Sequence, residues 1–335
     1  MIYNIPIEPL ETRYSGQWDR YFTGEFHEKD LDFRNIYGER VSSKIEQGSF
    51  LDVVNTNIYK VSQLSKILEL IHSKKVKDSD IFFFHDIWFP GLETLAYIRD
   101  GLGLDIKIYG CLHAGTYDKN DFLAQKGMAT WGKSCEEGWF SLVDKIFVAT
   151  EYHKSLVEKE REVGKDKIIV TGFPIHSTLP SRVERKNQIV FPHRLDKEKN
   201  PQAFDRLKHF FKAKGYLTKF VKTMDNFTTK ENYYKTLQES EIAISFAEQE
   251  TWGIAMQEAL FLDCVPLVPD RLSYKEMFPQ ELRYTSEHNL RQCILRYLND
   301  EEYKNRLIDI KNSTKVKLLK RGEEAIDNMI KEVEL

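Results

Sequence analysis

Glu248, Glu250 and Glu258 flank a Trp252-Gly253 pair where an apolar run, Ile242 to Phe246, gives way to a helix. Carboxylates accept hydrogen bonds from hydroxyls, and the free N–H groups of a helix start hold anions. Glu258 lies within two turns of that start, with its side chain leaning back toward it. The stretch Ile242 to Pro269 therefore suits a ligand with hydroxyls on one side and phosphate on the other. Arg194 and Lys199 stand five positions apart around a strand-to-helix turn. They are either ordinary surface charges or a clamp for a diphosphate leaving group, in which Arg binds phosphate bidentately and Lys acts as a point charge. His85 and Asp86 follow the run Ile81 to Phe84, and His113 follows Asp105 to Leu112, leading into Ala114-Gly115-Thr116-Tyr117-Asp118. In parallel sheets ligands gather beyond the carboxyl ends of strands, so two polar strand ends suggest a cleft. Asp86 either faces that cleft or caps the next helix. Gly16, between a first strand and a helix containing Trp18, either lets backbone approach a ligand or is only a turn.

These residues need a scaffold, and the apolar pattern supplies one. Strands are expected at Ile2 to Ile7, Phe50 to Val54, Ile81 to Phe84, Asp105 to Leu112, Lys145 to Thr150 and Lys167 to Val170. Helices are expected between them, including Ile58 to Ile71, with apolar residues at Val61, Leu64, Ile67, Leu68 and Ile71, and a helical stretch over 121–142. After a polar segment, His176 to Asn187, the alternation restarts with strands at Gln188 to Pro192, Tyr216 to Met224, Ile242 to Phe246, Val265 to Val268 and Leu282 to Thr285. Pro201 opens a helix at the favoured first position, and Ser286 is placed to cap another. Strands alternating with helices imply α/β architecture with doubly wound parallel sheets. The expected domains are 1–178, 186–315, and a C-terminal helix over 316–335 packing back on the first.

Composition narrows the class. The chain has 335 residues, room for two cores, and a net charge of −3, which argues against strong whole-chain attraction to nucleic acid or anionic membrane but leaves a local basic groove open. Its 4 Cys make no CxxC pair, so zinc is not expected and a reducing, cytoplasmic setting fits. The N-terminus lacks a signal-peptide pattern, and no apolar run reaches membrane-spanning length. Four of the 5 Trp (Trp18, Trp88, Trp131, Trp139) fall in the N-terminal half, as packing groups or as a stacking surface for a ring-shaped ligand.

Taken together, the motifs resemble the retaining nucleotide-sugar glycosyltransferases of the GT-B fold, in particular glycosyltransferase family 4. Glu250 to Glu258 matches the Glu-x7-Glu motif, with Glu-Thr-Trp-Gly-Ile where the family commonly has Glu-Gly-Phe-Gly-Leu. Pro-His-Arg-Leu-Asp-Lys-Glu-Lys-Asn-Pro resembles the family's Gly-Arg-Leu-x-x-x-Lys-Asn, and Glu-Ala-Leu-Phe-Leu-Asp-Cys-Val-Pro-Leu-Val resembles its Glu-Ala-Met-Ala-x-Gly-x-Pro-Val-Val. The likeness covers residues 188–300 well. It implies two Rossmann-like domains facing across a cleft, the first binding the acceptor and the second the nucleotide sugar.

By that resemblance Glu250 contacts sugar hydroxyls, Glu258 the ribose, and Arg194 and Lys199 the diphosphate. Trp252, Gly253 and Ile254 complete the donor site, with Gly16 near the phosphates and His113 near the transferred sugar. Two positions depart from the pattern: Thr251 replaces a usual Gly, and Gly172 stands where the linker motif often has Asn.

The opening Ile-Tyr-Asn-Ile-Pro-Ile-Glu-Pro-Leu-Glu and the segment His113 to Phe122 also resemble tailed-phage glycosyltransferases that decorate hydroxymethylated pyrimidines in DNA. That implies retained-configuration transfer to a hydroxymethylpyrimidine such as 5-hydroxymethylcytosine in double-stranded DNA, in a host cytoplasm. The enzyme would be a hexosyl- or pentosyltransferase, monomer or weak dimer, using a UDP-sugar and no obligate metal. Catalysis would fall to Asp86, His113 and Glu250, and acceptor contacts to Tyr14, Trp18, His85, Trp88, Tyr117 and Asp118, with flipped-out bases stacked on aromatics. The alternatives are an acceptor that is a glycan, lipid or small metabolite, a non-catalytic nucleotide-sugar binding protein, and a sugar-nucleotide epimerase.

Overall fold

The computed structural model describes residues 1–11, 13–40, 52–164, 166–175, 183–226 and 229–333. The chain divides into two compact units, Met1–Pro174 with Ala325–Leu335, and Ile175–Glu324.

In the first unit, strands β1 (Ile2–Ile5), β2 (Phe33–Asn35), β3 (Ile81–Phe84), β4 (Lys107–Cys111), β5 (Lys145–Val148) and β6 (Ile168–Val170) form one parallel sheet in the order β2-β1-β3-β4-β5-β6. Helices α1 (Tyr14–Glu28), α2 (Val53–His72), α3 (Leu92–Leu102), α4 (Ala129–Leu142) and α5 (Glu151–Glu160) connect them. The central strands are largely apolar because helices cover both faces, and all four residues of β3 are buried. Ile2 pairs with Ile81, and Phe82 with Ile108, so β3 is central and the ends of β3 and β4 are neighbours.

The second unit repeats the plan. Its strands are β7 (Lys186–Phe191), β8 (Lys219–Lys222), β9 (Ser240–Ile244), β10 (Val265–Pro269) and β11 (Arg283–Tyr284), all parallel, in the order β11-β10-β9-β7-β8. The helices are α6 (Pro201–Ala213), α7 (Lys230–Gln238), α8 (Ile254–Phe261), α9 (Tyr274–Met277), α10 (Glu287–Asn299) and α11 (Glu301–Glu323). Asn200 caps α6 through its side chain, with Pro201 at the first helical position, and Ser286 caps α10 by accepting from Asn289 N at 3.1 Å. A last helix, α12 (Ala325–Glu332), belongs to the first unit, where Lys145 Nζ donates to the Glu332 carbonyl at 2.7 Å. Residue 316 falls inside α11. No helix among the described residues is long and apolar enough to cross a membrane.

The structure corrects several local expectations. Phe50 and Leu51 lie outside the described residues, and Val53 starts a helix rather than continuing a strand. Asp52 caps that helix by accepting from Asn55 N at 2.9 Å. Residues 176–182, much of the polar segment His176 to Asn187, are likewise outside them. Gly16 is not in a loop but in the first turn of α1, where a Cβ would meet the Leu10 carbonyl oxygen at 2.8 Å. The close approach that requires glycine is thus to the chain's own backbone.

Candidate active site

The charged centre of the second unit sits at the carboxyl ends of β7 and β9, where parallel-sheet ligands bind. The loop after β7 carries His193, Arg194 and Lys199, and the loop after β9 carries Glu248, Glu250 and the start of α8. Glu248 N donates to the Glu198 carbonyl at 2.7 Å, which locks one loop to the other. Lys199 Nζ reaches across to the Gln249 carbonyl at 2.6 Å and to Glu250 Oε2 at 3.3 Å, with Lys199 only 7% exposed.

Glu250 Oε1 accepts from the backbone N–H groups of Thr251 (3.2 Å), Trp252 (3.3 Å) and Gly253 (2.8 Å). This corrects one expectation: the N–H groups offered to phosphate by the helix start are held by the Glu250 carboxylate itself. Burial pushes the Glu250 carboxyl up, but Lys199 and those N–H groups outweigh it and hold the acid below its ordinary range. The fold of this loop depends on Gly253, whose φ of +67° lies in the left-handed region. Thr251 keeps an ordinary φ, so its replacement of the family glycine leaves the N–H groups in place.

Neighbouring loops brace the arrangement. Arg271 Nε donates to the Ala247 carbonyl at 3.0 Å and Ser273 Oγ to the Glu250 carbonyl at 3.2 Å. Arg194 bonds Asp196 (2.5 Å) and Glu198 (3.2 Å) of its own loop, so its charge is already balanced before any anion arrives. Glu258 accepts from Lys230 Nζ (2.6 Å), Tyr233 OH (2.9 Å) and Tyr234 OH (3.2 Å), all from α7. Sequence reasoning missed these three, although the spacing of Lys230, Tyr233 and Tyr234 puts them on one helix face. Trp252 is buried beneath the Arg321 guanidinium, 5.2 Å from its ring, and presents backbone rather than indole to Glu250. Ile254 is the half-buried first residue of α8.

The polar strand ends of the first unit are built differently. His113 Nε2 donates to the His85 carbonyl at 2.7 Å; a carbonyl only accepts, so the proton is on Nε2 and Nδ1 faces the Tyr14 hydroxyl at 3.5 Å. His85 Nε2 pairs with Asn4 Oδ1 at 2.8 Å inside the core. Burial drives the His85 pKa down to about 3, and burial also lowers that of His113, so both rings are neutral at physiological pH. Asp86 does not cap a helix. It accepts from Lys60 Nζ at 2.9 Å and from Trp88 N at 3.2 Å, which pins the loop after β3 to α2.

Three expected acceptor contacts are core groups. Trp18 and His85 are each 1% exposed and Tyr117 is 5% exposed, with its hydroxyl 2.6 Å from His153 Nε2. These side chains fill space under the sheet ends and offer no stacking face. Asp118 closes its own turn by accepting from Asn120 N at 2.9 Å. Tyr14 and Trp88 remain half-buried, and Trp88 packs edge-on against Trp131, which is 52% exposed.

Beneath this loop, Glu136 is fully buried. It accepts from Thr116 N, Thr116 Oγ1 (2.8 Å), Arg161 Nε (2.8 Å) and Trp88 Nε1 (3.2 Å). Burial raises the Glu136 pKa despite those donors. Among the described residues, no cluster of His, Cys, Asp and Glu has the makings of a metal site.

No family model matches the chain. Over 163 residues it is 29% identical to the tRNA-queuosine alpha-mannosyltransferase of Drosophila melanogaster, a stretch that is 40% of this chain and 43% of that protein. The chain thus matches less than half the length of that relative. Sucrose-phosphate synthase from Thermosynechococcus elongatus superposes with a TM-score of 0.66 at 9% identity, over 99% of this chain and 98% of that one. S. aureus TarM, solved with fondaparinux, alpha-GlcNAc-glycerol and UDP, superposes with a TM-score of 0.57 at 12% identity, over 84% of this chain and 59% of that one. The fold is GT-B. In GT-B terms, the Glu250 and Lys199 centre lies in the C-terminal Rossmann-like unit and the His113 cluster in the N-terminal one.

Proposed function

We propose that the chain is a nucleotide-sugar-dependent glycosyltransferase that moves a sugar, with retained configuration, to a hydroxyl on a modified nucleobase. The observation that carries this reading is the Lys199–Glu250 pair, buried at the start of α8 and at the ends of two adjacent parallel strands. An anionic diphosphate can take Lys199 from Glu250, and sugar hydroxyls can then occupy the freed carboxylate. As the bond to the sugar breaks, negative charge develops on the diphosphate, and Lys199 with Arg194 stabilises it from fixed positions. The departing phosphate, still beside the oxocarbenium-like carbon, takes the proton of the incoming hydroxyl. Asp86 is the alternative base, although Lys60 and the Trp88 N–H each hold one of its oxygens. A UDP-sugar is the expected donor, in keeping with the UDP in the TarM complex, and no obligate metal is expected.

The N-terminal segment supports a hydroxymethylpyrimidine in duplex DNA as acceptor. The identity shared with a protein named for queuosine in tRNA supports a second reading, a modified base in tRNA. Labelled transfer from a panel of nucleotide sugars, in EDTA, to hydroxymethylcytosine DNA and to queuosine tRNA separates the two. Lys199→Ala should lower kcat by about 100- to 1,000-fold, the usual effect of removing one charge-stabilising group. Full activity in that variant would defeat the donor-site assignment.

A further inference from the structure

The donor site contains a group that neither Glu250 nor the cationic pair accounts for. β7 ends at Phe191, and two residues on lies His193, which is 3% exposed and packed edge-on against the Phe191 ring at 5.2 Å. Its Nε2 is buried and has no hydrogen-bond partner among the described residues. Native proteins rarely leave such an atom unpaired, because burial strips its water and returns nothing. An orphan ring nitrogen among apolar groups alone would be a packing defect, but His193 also sits beside charges. Lys199 and Arg194 of its own loop and Glu250 of the next are close enough for their charges to act on it.

Those charges also decide what kind of group it is. Burial first, then Lys199 and Arg194, bring the His193 pKa down to about 3 against the opposing pull of Glu250, so the ring is neutral. A neutral imidazole adds little to the binding of a diphosphate that already has two cations. It does offer one directional hydrogen bond, as donor or acceptor according to tautomer, where a carboxylate only accepts. That capacity matches a sugar hydroxyl. The motif that this loop resembles has glycine at the same place, with no side chain to reach a ligand.

We propose that His193 is a donor-binding residue whose Nε2 hydrogen-bonds a hydroxyl of the transferred sugar beside Glu250. This rests on the donor-site reading above. The test is calorimetric titration of the full chain with UDP, UDP-glucose, GDP and GDP-mannose. For whichever nucleotide sugar the wild type binds, His193→Ala should weaken binding by about tenfold, the effect of one lost hydrogen bond to a buried partner, while the matching diphosphate binds within about twofold of wild type. His193→Asn, which keeps a donor and an acceptor and is less disruptive to the fold, should recover part of the loss. Equal weakening of diphosphate and nucleotide sugar, or no weakening of either, overturns the assignment. If the wild type binds none of the four, the donor-site reading itself fails, and His193 falls with it.

Discussion

Both units place polar residues at the carboxyl ends of adjacent parallel strands, yet they hold them in opposite ways. In the second unit the loops are joined through opposite charges, Lys199 on Glu250 and Lys230 on Glu258, at bonds that a ligand's own charges and hydroxyls can replace. In the first unit most of the loop bonds are made by neutral rings and buried groups, His113 on the His85 carbonyl, Tyr117 on His153 and Thr116 on Glu136, beside the Lys60–Asp86 and Arg161–Glu136 ion pairs. The topological position is equivalent, but ion pairs predominate at the second unit's ends and buried neutral bonds at the first's.

The sharpest way to break this contrast is at Glu136. Its carboxylate neutralises Arg161, which is 8% exposed, and removing one partner of a buried pair leaves the other charge stranded. Glu136→Ala should destabilise the first unit by about 3–5 kcal/mol. Denaturant unfolding would measure the loss, with nucleotide binding followed in parallel. Binding lost together with the first unit's stability would show that the two strand ends are not independently built.

How far this could be read from sequence follows the same division. Strands such as Ile81–Phe84 were legible because burial on both faces leaves an unbroken apolar run. β2 was not, since Phe33-Arg34-Asn35 is too short to show a period and Arg34 is exposed. The start of α1 was hidden because Arg13 supplies no capping side chain. Glu250, Glu258, Arg194 and Lys199 stood out through residue type and spacing. Glu136 looked like any helix-surface acid, because its partner Arg161 lies 25 positions away and only the fold brings them together. Trp18, His85 and Tyr117 read as ligand contacts because sequence shows that a residue is polar or aromatic, not which way it faces.

Acid should separate the units by a smaller step. His85 and His153 in the first unit each fall from 6.5 to about 3, mainly through burial, and His193 does so in the second. As pH drops below about 6.5 the unfolded chain binds a proton on each ring and the folded chain does not, so stability falls until the folded rings themselves protonate. Each ring contributes a slope of about 1.4 kcal/mol per pH unit in that window. Glu250, with its lowered pKa, adds stability that is present above the ordinary carboxylate range and is lost only at lower pH, as the solution falls through the lowered value. The first unit should accordingly lose protection first in hydrogen exchange between pH 7 and 5, and His153→Gln should flatten its slope. Equal slopes for the two units would remove the distinction.

The smallest test lies within the loop that holds Glu250. If its N–H groups depend on one backbone turn, Gly253 and Thr251 should respond very differently. Gly253 has a φ of +67°, and an added Cβ would sit 3.1 Å from the Tyr274 ring. Gly253→Ala should cost about 1–2 kcal/mol for the left-handed conformation alone. Because Gly253 N is the shortest of the three bonds to Glu250, nucleotide-sugar binding should weaken as well. Thr251 has no such constraint, so Thr251→Gly restores the residue of the similar family's motif at a cost of about 0.4–1 kcal/mol, mostly from a freer unfolded chain. Its binding of nucleotide sugar should be unchanged. Tighter binding in Thr251→Gly would mean that the threonine holds the loop away from its working geometry, and that the Glu250 carboxylate occupies those N–H groups only until a donor displaces it.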